Sequence, residues 1–502
     1  MRKINQFKAG AMLSYISLIL STTISLVYTP FMVRTLGDGE YGVFSLVNST
    51  IAYLTILGFG FEASIVRYTT KYRVEGEKDK EQRLHGMFFV LYTIIGLIAL
   101  ILGFILSANV PLIFGSKLSP DEIGITTKLM YLASINVAVT FPFTIFASII
   151  TSYEKFLFSK AMLAFRSILN PLLMTLVLLF GARSIGMILV ATFINVFFGM
   201  ANVIYCFKVL KTKFRFGAFD KPLLKEIVTF SFFIFLGMIV DRLYWNTGNV
   251  LLGMLEGAAV ITYFNLGVLL NNYYQQLSAA ISNLFLPRVT AICSREHTMK
   301  ELSDLMIRVG RMQFFILALA LTGFGILGKL FIRSIWLGQG YDVVYYIAMI
   351  LFVPITVPLI QNIGISILQA KNKHAFRAVC YLIISIVNIF TTIPLIKMYG
   401  AMGPAISIAV SYTIGQIIIM NIYYKKVIGL DIPRFWKEIG KMMPAVLVPM
   451  AVMLVFMHFV PLGGKLGFLI YGCVYVALYG ICMLTFGLNK GEKDFLFKRF
   501  LG

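Results

Sequence analysis

Apolar residues fill this chain in long blocks, separated by short stretches that carry charged or turn-forming residues. Each block reaches the length of about twenty residues that a helix needs to cross roughly 30 Å of hydrocarbon. The pattern therefore predicts an all-α integral membrane protein with about fourteen transmembrane helices, twelve being the nearest alternative. The predicted helices lie near residues 10–34, 41–65, 85–108, 122–150, 157–180, 184–207, 227–254, 258–286, 311–335, 342–369, 376–397, 402–424, 443–461 and 466–487.

The charge distribution fits this count. The chain carries 44 Lys and Arg against 22 Asp and Glu, a balance that could suggest nucleic-acid binding. The cations instead precede the first helix and recur in every second loop, as the positive-inside rule requires of cytoplasmic segments. This indicates a multi-pass membrane protein with both termini cytoplasmic. The cation-rich loops lie at 67–83, 208–225, 288–311, 371–377 and 425–441.

Landmark residues recur at a nearly constant offset, which predicts an internal repeat. The pairs are Lys155 and Lys373, Asn170 and Asn388, Gly186 and Gly403, Pro142 and Pro358, and Arg67 and Arg288, at offsets of 216 to 221 positions. We expect two six-helix units, 1–220 and 221–430, followed by two extra helices in 431–502. Because six is even, both units enter from the same side, so they form parallel lobes related by a pseudo-two-fold axis along the membrane normal.

Several chemistries are not expected. The four His and five Cys residues are dispersed without paired ligand spacing, so we predict neither a metal site nor a cofactor. A membrane enzyme is a rival, but external carboxylate clusters and a nucleotide-binding loop are not evident. We therefore expect a transporter rather than an enzyme, although a scaffold for an assembly complex remains an alternative.

Motifs in the first two predicted helices, with the Gly-Ala-x-Gly turn at Gly400, resemble the polysaccharide transport family. This family, which includes the Wzx-type flippases of O-antigen and capsule repeat units, belongs to the multidrug/oligosaccharidyl-lipid/polysaccharide exporter superfamily. The motifs are Tyr28-Thr29-Pro30, Arg34-Thr35-Leu36-Gly37, Glu40-Tyr41-Gly42-Val43-Phe44-Ser45-Leu46 and Gly58-Phe59-Gly60-Phe61-Glu62.

The resemblance implies export, by alternating access, of an undecaprenyl-diphosphate-linked oligosaccharide to the outer leaflet of the bacterial cytoplasmic membrane for surface polysaccharide biosynthesis. An H⁺ or Na⁺ gradient would drive it. The alternatives are a multidrug or cation antiporter, and a flippase of lipid II or teichoic acid precursors. Expected partners are the lipid-linked glycan, membrane lipids and polysaccharide polymerase or assembly proteins, and no nucleic acid.

The seventh predicted helix carries ionisable residues near its centre, where a charge is costly unless it is paired or hydrated. Asp241 and Asn249 share one helical stripe, with Arg242 and Asn246 beside it. One hypothesis is a substrate or ion cavity in which Arg242 and Arg166 contact phosphate. The alternative is a structural salt bridge between Asp241 and Arg166.

The eighth predicted helix has an unusual density of amides and tyrosines at its midpoint. We predict that Asn272, Tyr273 and Gln276 line the same cavity, because amides and phenols bind sugar hydroxyls through hydrogen bonds and ring stacking. Interhelical hydrogen bonding is the structural alternative.

Arg67 and Arg288 are related by the repeat, so we expect them at the cytoplasmic mouth, where two guanidinium groups could capture a diphosphate. Glu62 could pair with Arg67 or gate this mouth; simple topological anchoring is the alternative. Pro142 and Pro358 are symmetric hinge candidates, because proline removes a helical hydrogen bond. By resemblance to the lipid II flippases, helices thirteen and fourteen would form a groove for the polyprenyl tail.

Overall fold

The structure, a computed structural model, describes residues 6–217, 221–293, 298–371, 373–489 and 491–493. In this part of the chain the secondary structure is helical and contains no strand, as predicted. The α-helices are α1 Gln6–Ala52, α2 Phe61–Glu75, α3 Lys78–Ala108, α4 Val110–Phe114, α5 Pro120–Ser152, α6 Phe156–Leu179, α7 Arg183–Ile204, α8 Lys221–Trp245, α9 Thr247–Leu255, α10 Ala258–Cys293, α11 Met299–Phe331, α12 Asp342–Ile360, α13 Asn362–Ala370, α14 His374–Tyr399, α15 Gly403–Tyr412, α16 Met420–Tyr423, α17 Ile432–Gly440, α18 Met443–Phe459 and α19 Gly464–Cys482.

Tighter and wider turns extend several of these helices. Turns of 3-10 helix occupy Tyr53–Gly58 and Gly400–Met402. Turns of π-helix occupy Tyr205–Val209, Ile332–Trp336, Thr413–Ile419, Tyr424–Ile428 and Met483–Gly487.

Eleven helical stretches of the described chain are long and apolar enough to cross a membrane. Two of them, Leu20–Glu75 and Ala375–Ile428, have 56 and 54 residues, each enough for two passes. The first is interrupted at Gly37, with φ 77°, and the second at Gly400, with φ 54°. Glycine suits both breaks because it adopts a positive φ without steric cost. The all-α membrane fold is thus confirmed, while the count of fourteen and the six-helix lobes remain predictions.

The chain forms two compact units, residues 1–262 and 263–502. In unit 1, helix α3 packs on α5, and α1 packs on α6. Gly42 allows another close approach, since a Cβ atom there would lie 1.8 Å from the carbonyl oxygen of Ala258 at the start of α10. The Thr262 hydroxyl secures the same junction by donating to the Asp38 carbonyl at 2.6 Å.

The motif residue Glu40 caps the beginning of α7. Its carboxylate accepts hydrogen bonds from the Ser184 amide at 2.9 Å and the Ser184 hydroxyl at 2.6 Å. It also pairs with the Arg183 guanidinium at 2.5 Å. A carboxylate is favourable here because the first amides of a helix lack intrahelical acceptors. The Glu40 and Gly42 positions of the motif therefore secure helix junctions in unit 1.

In unit 2, helix α19 lies against α11 through two buried tyrosines spaced four residues apart, Tyr475 and Tyr479. A third buried tyrosine of this helix, Tyr471, instead donates to the Val460 carbonyl at the end of α18. The Tyr475 hydroxyl is hydrogen-bonded to Thr322, and the Tyr479 hydroxyl donates to the Phe315 carbonyl at 2.7 Å. Buried phenols of this kind combine a large apolar contact with a satisfied polar end.

Candidate functional site

The predicted mid-membrane site of unit 1 lies where one long apolar helix breaks into two. Helix α8 ends at Trp245 and α9 begins at Thr247, so Asn246 occupies the junction as the N-cap residue of α9. Four residues before the end of α8, the Asp241 side chain is 58% exposed and its carboxylate lies 3.5 Å from the Arg242 guanidinium. The break thus presents an accessible carboxylate within a helix whose composition suits the bilayer interior.

A set of hydroxyl groups positions Arg242. Its guanidinium donates to the Thr55 hydroxyl at 3.3 Å, and its backbone carbonyl accepts from the Tyr53 hydroxyl at 3.4 Å. The Tyr53 hydroxyl is also hydrogen-bonded to Thr247, on the other side of the break. Tyr53 and Thr55 belong to the 3-10 turn that follows α1. These contacts hold the charged pair against a second irregular segment.

The structural alternative, which predicted a salt bridge between Asp241 and Arg166, is wrong. Arg166 donates instead to the side chain of Asn195 on α7, and its guanidinium lies 6.0 Å from the centre of the Phe198 ring. Asn195 in turn donates to Asn136 on α5 at 2.7 Å. Arg166 therefore belongs to a separate polar cluster that joins α5, α6 and α7.

Asn249, predicted to line the cavity, is only 2% exposed. Its amide nitrogen donates to the Ser49 hydroxyl on α1 at 2.8 Å. Asn249 therefore makes a hydrogen bond between two helices, a contact that was not predicted for it.

The polar run of α10, in unit 2, divides between packing and accessible positions. Asn271 and Tyr274 are buried, and the Tyr274 hydroxyl is hydrogen-bonded to Thr356 at 2.7 Å. Asn272 is exposed and Tyr273 is half-buried. Gln276 lines a cavity whose lining residues do not include Asp241, Arg242 or Asn246, so a cavity shared with them stays a prediction.

This cavity of about 290 Å³ lies among α10, α12, α13, α14 and the π-helical turn that follows α15. Its polar lining residues are Gln275, Gln276, Asn362, Arg377, Tyr412 and Gln416. The Arg377 guanidinium lies 4.5 Å from the centre of the Tyr381 ring. The Tyr381 hydroxyl donates to Gln416, so the ring itself is held in place. The arrangement presents a fixed cation among amides and hydroxyls.

Sequence reasoning missed Arg377, because it counted this cation among the anchoring charges of the 371–377 loop. The available signal was its position inside α14, one helical turn before Tyr381. Residues four apart in a helix share a face, so an arginine and a tyrosine at this spacing can stack.

The predicted mouth residues Glu62 and Arg67 are both exposed on α2. The Arg67 guanidinium lies 4.5 Å from the centre of the Phe230 ring on α8. Within the described residues, Arg67 makes no ion pair with Glu62. The side chain of Arg288 lies outside the described residues, so its pairing with Arg67 stays a prediction.

The two hinge candidates differ in their surroundings. Pro142 lies inside α5, which continues unbroken from Pro120 to Ser152. Pro358 lies three residues before a break at Gln361, where α12 ends and α13 begins. Pro358 also lines the Arg377 cavity. Hinge motion remains a prediction for both, and only Pro358 is next to an interrupted helix.

Comparison with known proteins identifies relatives in sequence and in fold. The model of the family described as "Polysaccharide biosynthesis protein" matches residues 7–293. The uncharacterized membrane protein EpsK of Bacillus subtilis (strain 168) is 21% identical over 500 residues, covering 96% of this chain and 95% of that protein.

Among solved structures, the lipid II flippase MurJ in an inward closed conformation matches with a TM-score of 0.72 at 15% identity. It covers 98% of this chain and 99% of its own. An inward-facing multidrug resistance MATE family transporter of the MOP superfamily matches with a TM-score of 0.67 at 13% identity, covering 85% of this chain and 99% of its own. The fold is thus that of known transporters.

Since the family model spans more than half of the chain, the family predicted from the motifs is confirmed, and this protein belongs to the polysaccharide biosynthesis protein family.

Proposed function

We propose that the protein is a flippase that moves an undecaprenyl-diphosphate-linked oligosaccharide from the cytoplasmic to the outer leaflet of the bacterial cytoplasmic membrane. It works by alternating access, coupled to an H⁺ or Na⁺ gradient, with both termini in the cytoplasm. The observation that carries the proposal is the charged pair of Asp241 and Arg242 at the break in α8. Such a group inside an apolar helix is costly, and its retention is typical of a substrate or ion path.

The two groups have complementary tasks in this proposal. Arg242, fixed by Thr55, offers N–H donors to a phosphate oxygen, because guanidinium groups match oxyanion geometry. Asp241 is accessible enough to bind the coupling cation, whose charge would offset its own when the substrate is present. The Asn195 and Arg166 cluster supplies further donors for the glycan in the same unit.

An apolar groove in unit 2 suits the polyprenyl tail of the proposed substrate. It has a volume of about 340 Å³ and lies between α11 and α19, where its lining residues include Leu319, Gly323, Phe324, Leu327, Gly472 and Val476. Its lining is almost wholly hydrocarbon and aromatic, which favours a prenyl chain over a sugar. The groove supports a tail-holding role for α19, the predicted fourteenth helix, but its other wall is α11 rather than the predicted thirteenth helix, α18.

The multidrug antiporter is the second candidate, favoured by the MATE transporter match. That structure covers 85% of this chain, whereas the lipid II flippase covers 98%. A multidrug exporter is expected to have twelve membrane helices, and α19 is one of the two predicted beyond that number. Because α19 lines the apolar groove, the difference in coverage favours a lipid-linked substrate. Lipid II and teichoic acid precursors remain alternative glycans for the same proposal.

Translocation of a lipid-linked oligosaccharide in proteoliposomes tests the proposal. We expect the native protein to move the lipid, and Asp241→Asn to fold normally but lose translocation. Asp304→Asn is the matched control, because Asp304 also pairs with an arginine, Arg434, but at an exposed site. Efflux of cationic dyes without movement of the glycan lipid would instead establish the antiporter.

A further inference from the structure

The lining residues of the cavity around Arg377 all belong to unit 2, whereas Asp241 and Arg242 belong to unit 1. Separate segments of the chain contribute its polar lining, which includes Gln276, Asn362, Arg377 and Gln416. Amides and hydroxyls supply most of its polar groups, and Arg377 supplies its positive charge. None of the described residues that line the cavity carries a carboxylate.

The charge of Arg377 is not balanced by the surrounding protein. Within the part of the chain that the structure describes, Arg377 forms no ion pair, and its buried Nε makes no hydrogen bond. Arg311 of the same unit shows the contrast, because its three guanidinium nitrogens all donate, to the Glu492 carboxylate and to the carbonyls of Glu438 and Gly487. The described surroundings give Arg377 a phenol partner, Tyr381, but no counter-charge, so an anionic ligand would be stabilised beside it.

The guanidinium is also held in one orientation. It stacks on the Tyr381 ring, and the Tyr381 hydroxyl is engaged by Gln416. Asn362 is likewise fixed, because its amide nitrogen donates to the Ser282 hydroxyl at 3.1 Å. A positioned donor set loses little conformational entropy when a ligand arrives. A planar guanidinium held in this way can donate to an oxyanion in fixed geometry.

From these contacts we infer that the Arg377 cavity is a binding site for an oxyanion of the substrate, with Gln276 and Gln416 donating to the same ligand. The inference deepens the proposed function. The oxyanion has two sources, the diphosphate that joins the glycan to its lipid and the carboxylate of an acidic sugar. Both present oxygen acceptors to a guanidinium, and binding measurements separate them.

The experiment measures equilibrium binding to the purified full-length protein in detergent. The probes are undecaprenyl diphosphate, with undecaprenol as its uncharged counterpart, and glucuronate, with glucose as its neutral counterpart. We expect the native protein to bind undecaprenyl diphosphate or glucuronate more tightly than the matching neutral probe. Arg377→Gln should weaken that binding by about tenfold or more, the loss of one charge-assisted contact.

Arg434→Gln is the matched control, because Arg434 is half-exposed and paired with Asp304. It should bind the anionic probe as the native protein does. Gln416→Leu removes a lining amide without changing charge and should weaken binding several-fold, which keeps the inference testable if Arg377→Gln does not fold. Weakening confined to undecaprenyl diphosphate identifies the diphosphate as the source, and weakening confined to glucuronate identifies the acidic sugar.

Native affinity for both anions in folded Arg377→Gln and Gln416→Leu variants would overturn the inference. Because binding is measured in detergent, its outcome is separate from translocation. A protein that binds an oxyanion through Arg377 but moves no glycan lipid would refute the proposed function and retain the site. A protein that moves the glycan lipid normally, but whose anion binding does not depend on Arg377, would support the proposed function and refute the Arg377 site.

Discussion

Arg311 on α11 donates two hydrogen bonds to the carboxylate of Glu492, at 2.6 and 2.9 Å. Both side chains are almost fully buried, with exposures of 4% and 8%. The Glu492 amide is in turn held by the Asn489 side chain at 2.9 Å. The pair therefore fastens the segment after α19 to the interior of unit 2.

Replacing Glu492 by Ala should destabilise unit 2 by about 3–5 kcal/mol, because it leaves a buried guanidinium without its counter-charge. Thermal and denaturant unfolding in detergent measure this loss. Glu438→Gln serves as the control, since its carboxylate is more exposed and lies 3.7 Å from Arg311. That change should cost under about 1 kcal/mol. Equal stability of the two variants would mean that the Glu492 contact is not an energetic anchor.

Substituting Gly42 by Ala should disrupt unit 1, because the added Cβ atom would lie 1.8 Å from the Ala258 carbonyl oxygen. Backbone atoms cannot move aside as a flexible side chain can, so we expect a cost at or above about 3 kcal/mol. Gly39→Ala is the comparison three residues away, where the nearest atom is a Glu122 carboxylate oxygen at 3.1 Å. Folded yield and melting temperature should fall for Gly42→Ala alone.

A leucine at Gly472 should narrow the apolar groove without disturbing the fold. A Cβ atom there has open space around it, and Gly472 lines the groove. We expect translocation of a long polyprenyl substrate to slow by about tenfold, the effect of a barrier raised by about 1.4 kcal/mol. A short-prenyl analogue should be less affected.

Gly480→Leu is its control on the same helix, because Gly480 also has open space but does not line the groove. If both leucine variants slow the long and short substrates alike, the groove does not hold the tail.

Asn249→Ala should leave translocation close to the native rate, in contrast to Asp241→Asn. Its hydrogen bond to Ser49 joins two helices, an interaction worth about 0.6 kcal/mol on average in membrane proteins. A small loss of thermal stability with normal transport is the expected result. If Asn249→Ala lost transport while keeping native stability, Asn249 would instead contact the substrate.

Helix positions were accessible from the sequence because hydrophobic blocks of membrane-spanning length have few other structures available. The break at Gly37 falls between the first two predicted helices, where the residue type permits a positive φ. The break at Gly400 likewise separates the blocks 376–397 and 402–424.

Partners of single polar side chains were less accessible, because helix rotation and packing decide them. Arg166 and Asp241 are both mid-helix and of opposite charge, yet Arg166 contacts Asn195. Arg377 is a residue whose place in a cavity the sequence did not reveal at all. A cation near a helix end satisfies the positive-inside rule, and only the packing of the surrounding segments reveals that it lines a cavity.

The tyrosine stripe of α19 leaves that helix a single axial register. Tyr475 and Tyr479 are four residues apart, but their partners Thr322 and Phe315 are seven apart on α11. If α19 shifted along α11 by one turn, neither tyrosine hydroxyl would reach the position of the other's partner, and both hydrogen bonds would be lost. We therefore expect α19 and α11 to move together as one rigid body.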